Sequence, residues 1–264
     1  MTISIITATY NSAATITDTL RSIAAQSHQD FEVIVVDGAS TDDTLARVEQ
    51  FRPQLGDRLR VVSEPDRGLY DAMNKGIAMA QGEIVGILNS DDFYSSAAVL
   101  AQVAQCFALH PVQAIYGDIH YVAPSDLQRP VRYYSSRMFR PWMMRLGFMP
   151  AHPSFYCRRE VYQQHGTFEL SYKVAADFEC LLRLLYVQRI STHYLPIDFV
   201  TMRTGGVSNA GLRSHLNIMR DHLRALHTHG IRSNVMLMAL RYVYKVGEIL
   251  YTRLRNPLRR NSTP

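Results

Sequence analysis

The stretch Gly82–Tyr94, GEIVGILNSDDFY, decides how the rest of the chain is read. Ile84–Leu88 has the length and composition of a fully buried strand, and it stops abruptly at Asn89, Ser90, Asp91 and Asp92. Adjacent carboxylates at a strand end repel one another unless a positive charge sits beside them. A divalent cation is the usual partner where a diphosphate has to be held for chemistry. The same four residues also suit a plain turn into a helix capped by Ser95 or Ser96, because Asn, Ser and Asp favour turns and caps. The surrounding chain has to separate these readings.

Residues 3–92 alternate between two patterns. Ile3–Ala8, Phe31–Val36, Leu59–Val62 and Ile84–Leu88 are apolar runs of strand length, and Thr15–Gln26, Asp43–Phe51 and Tyr70–Gln81 between them have helical length and spacing. This alternation predicts an α/β fold: a mostly parallel central sheet flanked by helices, joined by right-handed crossovers. Ligands of such sheets bind outside the carboxyl ends of the strands. The four segments that follow the strands are Thr9-Tyr10-Asn11-Ser12, Asp37 to Asp43, Glu64 to Gly68, and Asn89 to Asp92. Each has a plain explanation alone: Ser40 or Asp42 as a helix cap, Asp37-Gly38 as a turn, Asp66-Arg67 as a surface ion pair. Four polar loops on one edge suit a nucleotide.

The chain of 264 residues is long enough for one large α/β domain with an appendage. Its net charge of +5 is unevenly placed, with ten Arg or Lys beyond Gly211 against Asp221 and Glu248, which leaves residues 1–210 slightly acidic. That asymmetry predicts a basic tail facing an anionic surface and no nucleic-acid partner. Three widely spaced cysteines, Cys106, Cys157 and Cys180, suggest neither a disulfide framework nor a zinc knuckle, and fit a reducing cytoplasm. MTISIITATY reads as a first buried strand and not as a leader peptide. No run reaches the roughly 18 uncharged apolar residues of a spanning helix.

TATYNS, VVDGASTDDT, EPDRGLYDAMNKGIAMAQGE and LNSDDFY, in this order and spacing, resemble glycosyltransferase family 2, and DRGLYDAMNKG resembles its bacterial exopolysaccharide and lipopolysaccharide branch. The resemblance implies a GT-A fold and transfer of a sugar from a nucleoside-diphosphate sugar, with inversion, to a glycan or lipid-linked acceptor. It implies that Thr7, Thr9, Tyr10, Asn11, Asp37 and Ser40 surround the base and ribose. Asp66 and Arg67 would then lie beside the nucleoside, with Asn74 on a helix backing the donor. The family's Asp-x-Asp metal motif is here Asn89-Ser90-Asp91, which leaves Asp91 as the principal ligand for Mn2+ or Mg2+, Asp92 as its neighbour, and Asn89 and Ser90 to meet donor hydroxyls. A buried Asp that accepts from an imide N–H or a ribose hydroxyl strongly rejects analogues lacking that group.

Beyond Phe93, Ala97–Ala108 reads as a helix and Ala114–Tyr116 as a strand, followed by Arg129–Met149 as an irregular acceptor-side loop. Met149 to Tyr156 is similar to a Pro-x-His segment bordering the acceptor pocket, which makes His152 a candidate contact. Asp177, in Ala176-Asp177-Phe178 at the start of an apolar helix, complements the helix dipole on the plain reading. The resemblance makes it the general base, and an inverting displacement needs one to take the acceptor proton. Glu179, two positions on, points elsewhere on a helix. Phe199–Arg203 reads as a last strand, and the resemblance places Arg203 near a phosphate beside a closing loop at 204–209.

The expected organisation is a catalytic domain over 1–210, its nucleotide-sugar half ending at 94 and its acceptor half following. A helical tail then runs from 211 to 264. Gly211–His229 and Ser233–Arg255 read as amphipathic helices, and Arg253, Arg255, Arg259 and Arg260 favour anionic lipid. Peripheral attachment to the inner face of the cytoplasmic membrane is the expectation, with packing on the domain or pairing into an oligomer as alternatives. The absence of glycine in Thr7–Ser12 argues against a nucleotidyltransferase phosphate loop and a dinucleotide fingerprint. A non-catalytic sugar-nucleotide-binding protein is the rival from another class.

Overall fold

A computed structural model of the chain describes residues 1–205 and 212–240. The first half consists of β1 (Ile3–Thr9), α1 (Ile16–Ala24), β2 (Phe31–Asp37), α2 (Thr44–Glu49), the single turn α3 (Arg52–Leu55), β3 (Leu59–Ser63), α4 (Leu69–Met79) and β4 (Ile84–Ile87). Then come β5 (Phe93–Tyr94), α5 (Val99–Leu109), β6 (Ala114–Ala123), β7 (Asp126–Tyr134), β8 (Tyr156–Arg158), α6 (Arg159–His165), α7 (Ala176–Leu181), β9 (Thr192–Arg203) and α8 (Leu212–Thr228). The alternation expected over residues 3–92 is present, with element ends within a few residues of those read from the pattern.

One sheet carries all these strands in the order β3-β2-β1-β4-β8-β6-β9-β5, with β7 on the outside of β6. Pairing is parallel from β3 through β4; beyond β4 it is mixed, with β8 antiparallel to both β4 and β6 and β9 parallel to β6. Successive residues of a strand face opposite sides. Ile3 and Ile5 of β1 therefore pack with Ile16, Leu20 and Ile23 of α1 on one face, while Ile6 packs with Ala72, Met73 and Ile77 of α4 on the other.

Three strands differ from the sequence reading, one of them β9, which starts at Thr192 and not at the expected Phe199. Residues 126–134, expected within or beside an irregular loop, form β7, a hairpin partner of β6. Pro130 obscured it, yet a strand bonded along one edge tolerates a residue without an N–H, and the register shifts beside Val122↔Pro130. β6 continues through Gly117 to Ala123 because β9 crosses there so closely that a Cβ at 117 would lie 2.1 Å from the Phe199 ring. In the tail, α8 matches the first expected helix, with Ala225 and Leu226 buried in the core. Residues 235–240 begin a further helical segment, with Met238 buried. The rest of the Ser233–Arg255 segment and the 206–209 part of the closing loop lie outside the described residues. No helix among the described residues is long and apolar enough to cross a membrane.

Candidate active site

The four loops expected at the carboxyl edge meet there and are stitched to one another. Gly38 N–H donates to the Thr9 carbonyl at 2.9 Å, Asn11 N–H to Ser40 Oγ at 2.7 Å, and Thr41 N–H to Asn11 Oδ1 at 2.9 Å. Ser12 Oγ and Ser90 Oγ are 2.9 Å apart, linking the first loop to the acidic one. Asn11 holds a φ of 48°, a left-handed conformation that Asn tolerates better than most residues. Glycine at 38 has a steric reason: a Cβ there would lie 2.5 Å from Asp66 Oδ2.

The loops after β1, β3 and β4 border a cleft of about 630 Å³ whose walls include Thr9, Tyr10, Asp66, Asn89, Ser90, Asp91, Asp92, His152, Asp177 and Arg203, while the loop after β2 lends it no wall residue. Ten of the residues singled out from sequence thus share one cavity, and Asp91 and Asp177 are among them although 86 positions apart. The others support the edge from behind. Thr7 is fully buried in β1. The Asp37 carboxylate accepts from Ser40 N–H at 2.9 Å and from Ser63 Oγ at 2.7 Å, so it holds its own loop in shape. Arg67 pairs with Asp71 at 2.8 Å with its side chain 75% exposed. Asn74 is committed elsewhere: its amide exchanges two hydrogen bonds with the Phe168 backbone, at 2.8 and 2.9 Å, clamping α4 to the segment before α7.

The backbone of the acidic loop is pinned from three directions. Thr19 Oγ1 of α1 donates to the Asp92 carbonyl at 2.7 Å, the Arg203 guanidinium donates to the Asp91 carbonyl, and Asp92 N–H donates to the Asn89 carbonyl at 3.1 Å. Arg203 is itself held by the Asp18 carboxylate and lies over the Phe93 ring, 5.1 Å from its centroid. It scaffolds the loop as well as lining the cleft. Asp92 is 1% exposed, and neither of its carboxylate oxygens has a hydrogen-bond partner; the Asn89 side-chain oxygen and the Thr9 hydroxyl are likewise buried without one. Burial first, and the Asp91 charge second, push the Asp92 carboxyl well above the usual carboxylate range. An unpaired buried carboxylate is costly, and these hard oxygen donors, buried without partners in residues that line the cleft, fit a divalent cation.

Asp177 lines the same cavity from the first turn of α7. Its Oδ1 accepts from Phe178 N–H at 2.8 Å and from the Tyr70 hydroxyl at 3.3 Å, and Tyr70 also donates to the Val174 carbonyl at 2.7 Å. Burial raises Asp177 to about 6 against the opposing pull of those two donors. A carboxyl in this range is ionised at neutral pH yet basic enough to accept a proton. His152, stacked edge-on to Phe168 at 5.4 Å, is pushed down to about 4 by burial and so is a neutral hydrogen-bonding group at pH 7.

Sequence reasoning missed the supporting Tyr70 and Asp18 and the wall residues Ile119 and Tyr121 of β6, while Ser12, Tyr134 and Met149, which also line the cleft, fall in the first loop and in the expected acceptor-side stretch. Tyr70 lies inside the quoted DRGLYDAMNKG motif, but only the fold brings it to a carboxylate 107 positions away.

Comparison with known proteins agrees with this architecture. Glycosyl transferase family 2 matches residues 4–166. A PGL/p-HBAD biosynthesis glycosyltransferase of Mycobacterium bovis is 34% identical over 208 residues, 78% of each chain. Among solved structures, S. aureus TarS 1-349 in complex with UDP-GlcNAc superposes with a TM-score of 0.68 at 22% identity, over 97% of this chain and 73% of that one. The chain spans 65% of the same TarS segment in its UDP complex and 43% of another TarS structure. The mannosyltransferase PcManGT of Pyrobaculum calidifontis, in complex with GDP-Man and Mn2+, superposes with a TM-score of 0.60 at 17% identity, over 98% of this chain and 88% of that one. With a parallel half-sheet ending in a polar cleft and these relatives, the chain belongs to glycosyltransferase family 2, and it is a glycosyltransferase of GT-A fold.

Proposed function

We propose that the chain transfers a sugar from a nucleoside-diphosphate sugar to a hydroxyl of a glycan acceptor by a single, inverting displacement. The observation that carries this is one cleft lined by Asp91, by Asp92 and by Asp177, a carboxyl raised to about 6. The loops after β1, β2 and β3 receive the nucleoside, with Asp66, Thr9 and Tyr10 on the cavity wall. Solved neighbours holding UDP-GlcNAc or GDP-Man with Mn2+ support a donor and a cation of this kind.

Asp91, with the partnerless oxygens of Asp92 and Asn89, would hold Mn2+ or Mg2+. Bound there, the cation neutralises charge that builds on the departing diphosphate, and such help accelerates the reaction because it is larger in the transition state than in the ground state. Asp177 accepts the acceptor's hydroxyl proton as the new bond to the anomeric carbon forms. The bond from that carbon to the diphosphate oxygen breaks on the opposite face, and the diphosphate leaves as an anion. Tyr70 and the Phe178 N–H hold the Asp177 oxygen in place. The aromatic wall of β6 and β7 with His152 receives the acceptor sugar through apolar ring contact and neutral hydrogen bonding.

The acceptor class we infer is lipid-linked, presented at the inner face of the cytoplasmic membrane. The relative from PGL/p-HBAD biosynthesis and the arginines of the tail sequence support that setting. The test combines UDP-, GDP- and dTDP-sugars with Mn2+ and follows the anomeric configuration of the product by NMR. Wild type is expected to give inverted product, and Asp177→Asn is expected to lose 10²- to 10⁴-fold in kcat, the usual range for a general base, with donor binding retained. Product of retained configuration, or an Asp177→Asn enzyme with full turnover, refutes the proposal.

A further inference from the structure

Far from the sugar-transfer cleft, the sequence reading dismissed Cys106 as an isolated cysteine, and the fold gives it company. Cys106 and His110 are one turn apart at the end of α5, where the His110 N–H donates to the Cys106 carbonyl at 3.0 Å. His193, the second residue of β9, stands in register with Ile115 of β6. The two chain segments are tied together next to it, since Gln113 N–H donates to the Ser191 carbonyl at 2.9 Å and Ser191 N–H donates to Gln113 Oε1 at 3.0 Å. Cys106 Sγ and one ring nitrogen from each histidine all lie within 4.8 Å of one another. The His110 and His193 rings are stacked, 3.9 Å between centroids and 16° from parallel.

We propose that Cys106, His110 and His193 form a zinc site. One sulfur and two imidazole nitrogens are a donor set that selects zinc over the oxygen-seeking Mg2+ and Mn2+. Zn–N and Zn–S bonds of about 2.0–2.3 Å put tetrahedral ligand atoms roughly 3.3–3.8 Å apart; because a bound metal lies in the plane of an imidazole, loading the site turns one of the two rings out of the stack. Water fills the fourth position, because Cys106 is 5% exposed whereas both histidines are partly open to solvent. On binding, the Cys106 S–H bond breaks, its proton goes to solvent and the thiolate electron pair forms the bond to zinc. His193 opens β9 and Arg203 closes it at the cleft, ten residues later. The paired strand β6 covers the same span from Ile115 to Val122, and seven residues at roughly 3.3 Å each put the two about 23 Å apart. This zinc ties α5 to the far end of the sheet and takes no part in sugar transfer.

The experiment uses full-length, tag-free protein stripped with chelator, with Zn2+ and Co2+ as probes. Expected are one tightly bound equivalent of Zn2+, a rise in Tm on adding it, and a thiolate-to-cobalt charge-transfer band in the near ultraviolet with Co2+. Cys106→Ser and His193→Gln should each lose the equivalent and the Tm rise, and Asp91→Asn should keep both. His193→Gln is the safeguard, since its partly exposed side chain makes misfolding a poor explanation for lost binding. A cobalt complex lacking the thiolate band, or zinc binding that survives both substitutions and disappears in Asp91→Asn, overturns the assignment.

Discussion

Replacing Tyr70 by Phe tests the base most sharply, because the change removes a single hydroxyl that leans on Asp177. That hydroxyl divides one proton between the Val174 carbonyl at 2.7 Å and Asp177 Oδ1 at 3.3 Å. A hydrogen bond to a charged acceptor is worth about 1.5–3 kcal/mol, and this shared, longer one falls below that range, at about 1 kcal/mol. The bond stabilises the ionised carboxylate, so its loss raises the Asp177 pKa; at 1.36 kcal/mol per unit the rise is about 0.7. Asp177 starts at about 6. The ionised fraction at pH 6 then drops from about one half to about one sixth, a threefold loss of kcat/KM, while at pH 8 the loss is only a few per cent. The assay is the pH profile of kcat/KM for wild type and Tyr70→Phe, whose acid limb reports the free enzyme. A limb that stays where it was, moves to lower pH, or a loss equal at every pH refutes the reasoning.

Two further outcomes follow from the same geometry. The folded-state pKa of Asp177, about 6, lies above the unfolded value, so its contribution to stability is fully present below about pH 4 and is lost as pH rises through 6. Asp177→Asn, which mimics the neutral form, should therefore stabilise the protein by about 3 kcal/mol at pH 8 and by little at pH 4 in urea melts; equal effects at both values would remove burial as the cause. Asn89→Asp adds a carboxylate beside Asp91 and Asp92 where the amide oxygen is buried without a partner. It should lower Tm without divalent ions and tighten Mn2+ by at least about tenfold, because a unit charge about 4 Å from another is worth ~4 kcal/mol at an effective dielectric of 20 and desolvation cancels only part of it. Weaker Mn2+ binding in a titration would place the cation elsewhere.

The sequence by itself determined the parallel half of the sheet and the edge that carries the site. Apolar runs of strand length separated by helical periodicities admit few other arrangements, and polar loops after each run have one place to go. It also supplied most of the cleft's polar residues, since Asn, Asp and Ser at strand ends are conspicuous locally. Tertiary structure alone decided the other contacts. Asn74, expected on a helix backing the donor, clamps that helix to the Phe168 backbone, a segment 94 residues away. β7 was hidden by Pro130, which only an edge position accommodates. The partner of the base, Tyr70, and the gathering of Cys106, His110 and His193 depend on separations of 83 to 107 residues. Local pattern records which face a side chain takes on its own element; what it meets across the core is set by how the sheet is ordered, and no periodicity in one segment encodes that order.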